Sequence, residues 1–117
     1  DNYAGKINRT RGFEVDIVGK SKDRKVWLVE VRNWKGKFSG RSELKGLERR
    51  FKRAIEMLNL EENGKREIKE NRIIKWVICT GGFTRPTKKK LIEQDYYISD
   101  LEAINYIARV CGLAHGE

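Results

Sequence analysis

The stretch FEVDIVGKSKDRKVWLVEVRNWKGK, residues 13–37, determines the fold expected for this chain. Two runs rich in Val, Ile and Trp, residues 13–19 and 26–33, lie on either side of a polar segment that contains Ser, Lys and Asp. Apolar runs of this length around such a segment predict two strands joined by a hairpin turn. Because strand residues alternate between the two faces of a sheet, the pairing of these strands decides which side chains can meet.

Three charged side chains lie inside these apolar runs. Asp16 is in the first run, and Glu30 and Arg32 are in the second. Residues two positions apart in a strand share a face, so Glu30 and Arg32 lie on the same face. If the two strands pair as a hairpin, Asp16 and Glu30 meet at one end of the sheet, with Arg32 beside them.

Two carboxylates held this close repel each other and raise each other's pKa unless a cation lies between them. Mg²⁺ or Mn²⁺ would relieve that repulsion because both ions prefer oxygen ligands, and the main-chain carbonyl of Val31 would add a further oxygen. An ordinary ion cluster across the strands is the alternative explanation, since facing opposite charges are mildly stabilising. Glu14 is a further acid on the same strand, although a lone acid at the start of a strand is common.

The composition predicts one basic domain. The 117 residues are enough for a single domain, 1–117, with one core. A net charge of +9 favours a polyanionic partner. No segment approaches the ~20 apolar residues of a membrane span. Because the chain begins without Met, we expect its natural start to lie upstream and further domains of a longer chain to accompany it.

The sequence contains few cysteine and histidine residues that could bind a metal ion or act in catalysis. Cys79 and Cys111 lie far apart without CxxC spacing, and His115 is the single histidine. This excludes a typical zinc site or redox pair, and it excludes the usual Cys-His and Ser-His catalytic pairs unless His115 is recruited. Both cysteines have apolar neighbours, so we expect small core residues in a reducing cytosol.

The segment from Ser42 to about Leu60 has the spacing of an amphipathic helix. Its apolar stripe consists of Leu44, Leu47, Phe51, Ile55 and Leu58. A second face is basic and consists of Arg41, Lys45, Arg49, Lys52 and Arg53. Residues 41–53 contain six bases and two acids, so most of these charges lack a helical ion-pair partner. We therefore favour contact with nucleic-acid phosphates over a solvated helix face.

The remaining segments alternate between strand and helix. RIIKWVICT, residues 72–80, predicts a buried strand that ends at Gly81 and Gly82. PTKKKLIEQ, residues 86–94, predicts a short helix with proline in its first turn, and YYIS, residues 96–99, a short strand. The order β-β-α-β-α-β-α predicts an α/β fold, in which a mixed sheet is flanked by helices.

A last helix is predicted after the YYIS strand. Ser99 and Glu102 have the spacing of a capping box, and Gly112 is the expected stop. The apolar stripe of this helix consists of Leu101, Ile104, Ala108 and Cys111.

EVDIVG, residues 14–19, followed by VWLVEVRNWKGK, residues 26–37, resembles the PD-(D/E)XK nuclease superfamily. The most similar branch contains archaeal Holliday-junction resolvases and restriction-endonuclease-like proteins that cut modified DNA. ICTGGFTRPTKKKLIEQ, residues 78–94, also resembles that branch. The resemblance runs from about residue 12 onward and implies a restriction-endonuclease-like fold, although the opening helix of the family is not recognisable.

This resemblance implies a Mg²⁺- or Mn²⁺-dependent DNA endonuclease, with Asp16 and Glu30 as metal ligands. Arg32 stands where the family has a lysine that orients the attacking water and helps to deprotonate it. An arginine, with a pKa above about 12, cannot act as a base, although its fork can hold a phosphate oxygen. Lys35 and Lys37 follow in the next loop and are expected to reach the bound nucleic acid. A homodimer is also implied by the resemblance to junction resolvases.

Two other functions are compatible with the sequence. A catalytically inactive nuclease fold that serves as a DNA-binding module is favoured by the replacement at Arg32. A small basic RNA-binding or scaffold protein, in which the acids form only an ion cluster, is the second. Cleavage that depends strictly on a metal ion would separate the endonuclease from both.

Overall fold

The computed structural model describes residues 15–59 and 72–111 in full and the main chain of residues 6–9 and 60–61. This part of the chain contains five strands and three helices. They are β1 (Lys6–Arg9), β2 (Ile17–Lys20), β3 (Val26–Arg32), α1 (Arg41–Glu61), β4 (Ile73–Cys79), α2 (Arg85–Glu93), β5 (Tyr96–Ser99) and α3 (Leu101–Val110). The predicted order of elements is present and is preceded by β1, which the sequence pattern did not predict.

The five strands form one sheet in the order β1-β2-β3-β4-β5. β1, β2 and β3 are antiparallel neighbours, whereas β3, β4 and β5 are parallel neighbours. Parallel neighbours need a crossover, which α1 supplies between β3 and β4 and α2 supplies between β4 and β5. The predicted mixed sheet with flanking helices is therefore confirmed.

The register of the β2-β3 hairpin determines where the acids lie. Ile17 is opposite Val29 in this antiparallel pair. Asp16 directly precedes Ile17, and Glu30 directly follows Val29, so both acids lie just beyond this pair. The hairpin predicted from residues 13–33 is thus present, and it brings the two acids together at the end of β3.

The core lies where α1 and α2 pack against one face of the sheet. The predicted apolar stripe of α1 is buried except for Ile55, which is half-buried. Phe51 of this stripe meets the Tyr96 ring of β5 edge-on, with ring centroids 5.2 Å apart. Burial of each such large side chain contributes about 1.5–3 kcal/mol to stability. The core cluster contains Val18, Val26, Leu28, Leu44, Leu47, Phe51, Ala54, Leu58, Val77, Cys79, Leu91 and Tyr96.

The opposite face of the sheet is covered less completely. Trp27 and Trp76 lie there as an edge-on pair, with ring centroids 6.1 Å apart, and both are half-buried. The indole N–H of Trp76 donates to the hydroxyl of Ser99, at 3.0 Å. Both tryptophans therefore lie at a partly exposed position beside the sheet.

The first turn of α3 has a different cap from the one predicted. Asp100 is the N-cap, and its carboxylate accepts a hydrogen bond from the N–H of Ala103 at 2.8 Å. Ser99, the predicted cap, is still in β5, where its buried hydroxyl binds Trp76. The prediction was wrong because β5 continues one residue further than the capping pattern suggests.

The apolar stripe predicted for α3 was wrong at both ends. Leu101 is 50% exposed because it occupies the first position of the helix. Cys111, expected in the core, is exposed because it follows the last turn, whereas Cys79 is buried as predicted. Ile104 and Ala108 are half-buried. The predicted stop at Gly112, the acid Glu14, the histidine His115 and the polar connection 62–71 lie outside the described residues.

None of the helices in the described part of the chain is long and apolar enough to cross a membrane.

Candidate functional site

The candidate site lies at the carboxyl ends of the parallel strands β3 and β4, where open α/β sheets generally bind their ligands. Two loops, residues 33–40 after β3 and residues 80–84 after β4, meet there. The hydroxyl of Thr80 donates to the carbonyl of Trp34 at 3.1 Å, and the N–H of Phe38 donates to the carbonyl of Gly82 at 2.8 Å. These bonds extend the sheet and hold the first loop in place beside the ends of the strands.

The two loops approach so closely at Gly81 that no side chain fits. A Cβ atom at this position would lie 2.0 Å from the carbonyl oxygen of Gly36 and 2.7 Å from that of Trp34. Gly82, which follows, has φ 89, in the region that favours glycine. The tight turn predicted at Gly81 and Gly82 is therefore present, and it is what allows the loops to pack together.

Asp16 lies immediately before β2 and is exposed. Its Oδ2 accepts a hydrogen bond of 2.8 Å from the main-chain N–H of Val31. This bond joins the carboxylate to the strand that carries Glu30. The sequence-based expectation that the two acids lie together is consistent with this placement.

Glu30 is the largest charged side chain buried in the described part of the protein, with 2% of its surface exposed. Its Oε2 forms ion pairs with two arginines, one to Nη1 of Arg32 and one of 3.3 Å to Nε of Arg50. Within the described residues, its other oxygen, Oε1, is buried and has no hydrogen-bond partner. A buried charge is costly unless it is paired. The arginines compensate the charge at Oε2, whereas Oε1 has no such partner among the described residues.

Burial raises the pKa of Glu30 above its ordinary value, because water no longer stabilises the charged form. Arg32 opposes this increase in the pKa of Glu30, Asp16 adds to it through its negative charge, and Arg50 opposes it. The effect of Asp16 means that the two acids interact electrostatically. A further cation beside them would stabilise the ionised pair.

Arg32 makes two contacts that hold its guanidinium group. It pairs with Glu30, and its guanidinium carbon lies 5.5 Å from the centre of the Trp34 ring, within the range of a cation–π interaction. The side chain is 18% exposed. Arg32 therefore contacts Glu30 directly, and one part of its side chain faces solvent.

Arg50 was not among the residues singled out from the sequence. It follows Leu47 by three positions and precedes Ala54 by four, so it lies beside the buried stripe of α1 and away from the basic face. This position could have indicated that Arg50 has a buried partner, because a basic side chain next to an apolar stripe must pair with an acid or remain unpaired in the core. The sequence does not say which acid it meets.

The side chains present fit a divalent cation only in part. No group of three or more His, Cys, Asp or Glu side chains comes together within residues 15–59 and 72–111. The site offers the two carboxylates of Asp16 and Glu30, and the main-chain carbonyl of Val31 stays a predicted third ligand. Hard cations such as Mg²⁺ accept few protein oxygens and complete their shell with water. The unpartnered Oε1 of Glu30 supplies a specific position for such an ion.

The predicted nucleic-acid-binding residues all lie on the surface. Those in the loop after β3 and those on the outer face of α1 are exposed, namely Lys35, Lys37, Arg41, Lys45, Arg49, Lys52 and Arg53. Two cavities beside these loops have basic walls without an acid among the described residues. One of about 560 Å³ contains Arg41 and Lys90, and one of about 480 Å³ contains Lys37 and Lys88. The region is thus suited to a polyanion.

No protein-family model and no curated protein matches the chain. Two solved structures are similar in fold. A repair endonuclease from Pyrococcus abyssi has a TM-score of 0.50 and 19% identity, over 86% of this chain and 38% of that one. The structure of an EndoMS–dsDNA2 complex has a TM-score of 0.52 and 17% identity, over 86% of this chain and 37% of that one.

The chain has a restriction-endonuclease-like α/β fold. This confirms the fold that the sequence resemblance implied. The chain spans less than two fifths of the length of either solved protein.

Proposed function

We propose that this chain is a Mg²⁺- or Mn²⁺-dependent endonuclease domain that hydrolyses phosphodiester bonds in DNA. The observation that carries the proposal is the arrangement of Asp16 and Glu30 at the end of β3, with one oxygen of buried Glu30 unpartnered within the described residues. The fold supports it, because both similar solved structures are named as nucleases or contain DNA in their titles.

Asp16, Glu30 and the carbonyl of Val31 would hold the cation. When bound, the cation lowers the pKa of water and stabilises negative charge on the phosphate. Asp16 is oriented for this role by the N–H of Val31, which leaves its carboxylate beside Glu30. The Oε1 atom of Glu30 is the second protein oxygen, and burial keeps bulk water away from it.

Arg32 would bind a phosphate oxygen. Its guanidinium group stays charged at all accessible pH values, so it stabilises negative charge but does not remove a proton from water. Preorganised positive charge of this kind acts most strongly in a partly buried site. Arg32 meets that condition because Glu30 and Trp34 fix its position.

The exposed basic residues would position the DNA backbone. Those of α1 form a row along one face of a 21-residue helix, while Lys35 and Lys37 are exposed in the loop that follows β3. Contacts of this type determine where the duplex lies but carry no sequence information. A homodimer and additional domains remain predictions from the resemblance.

A second function is favoured by one specific observation, the ion pair between Arg32 and Glu30. If Arg32 and Arg50 keep the charge of Glu30 neutralised when DNA binds, the site does not attract a cation, and the chain is a DNA-binding module built on a nuclease fold. This alternative predicts binding without cleavage.

Cleavage of a panel of labelled duplex, single-stranded and four-way-junction DNAs tests the proposal. The reactions contain Mg²⁺, Mn²⁺ or EDTA, and the protein is wild type, Asp16→Ala or Glu30→Gln. We expect cleavage with either metal ion, none with EDTA, and a loss of at least about 10²-fold in each variant. Tight DNA binding without cleavage under every condition would establish the second function, whereas cleavage that survives EDTA and both substitutions would indicate a contaminating nuclease.

A further inference from the structure

Arg50 brings a second positive charge to a carboxylate that Arg32 already neutralises. We propose that Arg50 is the internal counter-cation of Glu30, a positioning residue that brings the charge of the site to zero and thereby weakens divalent-cation binding in the absence of DNA. This inference rests on the proposed function, because it concerns the cation expected between Asp16 and Glu30.

The charges of the described side chains at the site sum to zero. Asp16 and Glu30 contribute two negative charges, and Arg32 and Arg50 contribute two positive charges. No third acid joins them in the part of the chain that the structure describes. A divalent cation entering this site meets as much repulsion as attraction, whereas the same two acids without Arg50 would attract it.

The contacts of Arg50 indicate that it acts chiefly through its charge. Its Nε lies 3.3 Å from Oε2 of Glu30, yet this atom makes no hydrogen bond with any described residue. Arg32 contacts the same oxygen through Nη1 and is sufficient to orient the carboxylate. Removing the Arg50 charge therefore leaves the orientation of Glu30 to Arg32 and changes the electrostatic potential at the cation position.

The zero net charge at the site has a consequence for how DNA and the cation bind together. A DNA phosphate brings one negative charge to the site, so the bound backbone restores the attraction for a divalent cation. By thermodynamic linkage, the cation then strengthens DNA binding by the same factor. Arg50 thus makes cation binding depend on DNA, because the site with Arg50 is neutral by itself and becomes negative only when DNA is bound.

Titration of the DNA-free protein with Mn²⁺, followed by the electron paramagnetic resonance signal of free Mn²⁺, tests this proposal. The proteins are wild type, Arg50→Gln, Arg50→Lys, Asp16→Asn and the control Arg109→Gln, which removes an exposed charge on α3. We expect Arg50→Gln to bind Mn²⁺ about tenfold more tightly than wild type, because one unit of repulsion is lost at short range. Arg50→Lys and Arg109→Gln should bind within about threefold of wild type.

Thermal unfolding of the same proteins separates this role from a purely structural one. Without Mn²⁺, Arg50→Gln should have a lower Tm than wild type, since buried Glu30 loses a partner. Saturating Mn²⁺ should raise the Tm of Arg50→Gln more than that of wild type, because the ion takes the place of the arginine charge. Arg50→Lys should have a Tm near that of wild type in both conditions.

The outcomes distinguish the two proposals. Equal Mn²⁺ affinities for wild type and Arg50→Gln, both reduced by Asp16→Asn, would overturn the role of Arg50 and leave the cation site intact. Weaker Mn²⁺ binding by Arg50→Gln would also overturn it. Failure of every protein to bind Mn²⁺ at millimolar concentration would overturn the cation site itself and the inference with it.

Discussion

The main-chain N–H of Val31 donates a hydrogen bond to the carboxylate of Asp16 across 2.8 Å. Val31 follows Glu30 directly, so this bond connects the two acids through one residue of β3. In an antiparallel ladder the N–H of such a residue normally binds a main-chain carbonyl. At the end of this hairpin the acceptor is instead a side-chain oxygen of Asp16. The hydrogen bond therefore positions the carboxylate of a candidate functional residue.

Substituting Asp16 should abolish cleavage but change the stability of the protein only slightly. Asp16→Asn retains an oxygen that can accept the N–H of Val31, so its free energy of unfolding should stay within about 0.5 kcal/mol of wild type. Asp16→Ala removes the acceptor and should cost about 0.5–1 kcal/mol, since the bond is exposed. Both variants should lose metal-dependent cleavage. Urea unfolding and single-turnover cleavage would check this, and full activity in Asp16→Asn would contradict the assigned role.

Gly81 and Gly36 offer a matched pair of substitutions in the two loops. Gly81→Ala places a Cβ atom within 2.7 Å of two main-chain carbonyl oxygens, so the loops must separate. We expect a loss of about 1–3 kcal/mol in the free energy of unfolding and a lower rate of cleavage. Gly36→Ala meets no atom within 4 Å and should be nearly neutral. Urea unfolding of both variants tests this, and equal stabilities would mean that the loops are not packed together.

Alternation and helical spacing were sufficient to predict the local parts of this fold. The apolar runs on either side of residues 20–25 predicted the hairpin, and its register places Asp16 and Glu30 just beyond the pair of Ile17 and Val29. The stripe from Leu44 to Leu58 predicted which face of α1 is buried. Each of these features depends on the spacing of residues within one or two neighbouring elements, which sequence periodicity records directly.

The features that sequence reasoning missed depend on contacts between distant segments. Arg50 reaches Glu30 only because α1 packs across β3, and no local pattern contains that packing. The cap at Asp100 was missed because the hydroxyl of Ser99 is engaged by Trp76, 23 positions earlier. β1 was missed because four residues are too few for alternation to indicate a strand without its partner.

Salt dependence tests the proposed contact between the basic face of α1 and DNA. Lys45→Ala and Arg49→Ala each remove one exposed positive charge, and each should weaken duplex binding equally for all sequences. Each should also reduce the slope of log affinity against log salt concentration by about 1. Fluorescence anisotropy between about 50 and 200 mM salt measures both quantities.

Lys22→Ala is the matched control for this experiment. It removes the same charge from the β2-β3 turn, at the opposite end of β3 from the acids. Its affinity and slope should match those of wild type. A loss equal to that of Lys45→Ala would mean that net charge, not the face of α1, determines DNA binding.

The buried side chain of Tyr96 should make the free energy of unfolding depend on pH in alkaline solution. Burial, with a smaller effect from the charge of Glu48, raises the pKa of Tyr96 to about 12. An unfolded tyrosine has a pKa near 10, so the fold favours the neutral phenol. The resulting stability is fully present below about pH 10 and is lost as the pH rises from about 10 to 12.

Ultraviolet absorbance at the tyrosinate band during alkaline titration measures this pKa. The matched variant Tyr96→Phe lacks the hydroxyl group and should lose the absorbance step near pH 12. A titration in which wild type and Tyr96→Phe show the same late step would contradict the burial of this ring.

Arg32→Lys introduces the lysine that the resemblance to PD-(D/E)XK nucleases implies at this position and should increase cleavage. A lysine amine can lose its proton when it is partly buried, whereas a guanidinium group cannot, so the variant gains a group able to accept a proton from water. A positioned acid–base group typically contributes 10²–10⁴-fold, and we expect an increase of roughly 10²-fold in the rate with Mg²⁺. Single-turnover cleavage of labelled duplex DNA measures the rate.

Arg109→Lys makes the same replacement on an exposed part of α3 and should cleave at the wild-type rate. The free energy of unfolding of Arg32→Lys should fall by about 1 kcal/mol, because Glu30 and the Trp34 ring both lose their contact with the guanidinium group. An Arg32→Lys protein that is folded and binds DNA but cuts no faster than wild type would mean that the missing lysine does not limit catalysis. In that case the charge balance set by Arg32 and Arg50, rather than proton transfer, would control the reaction.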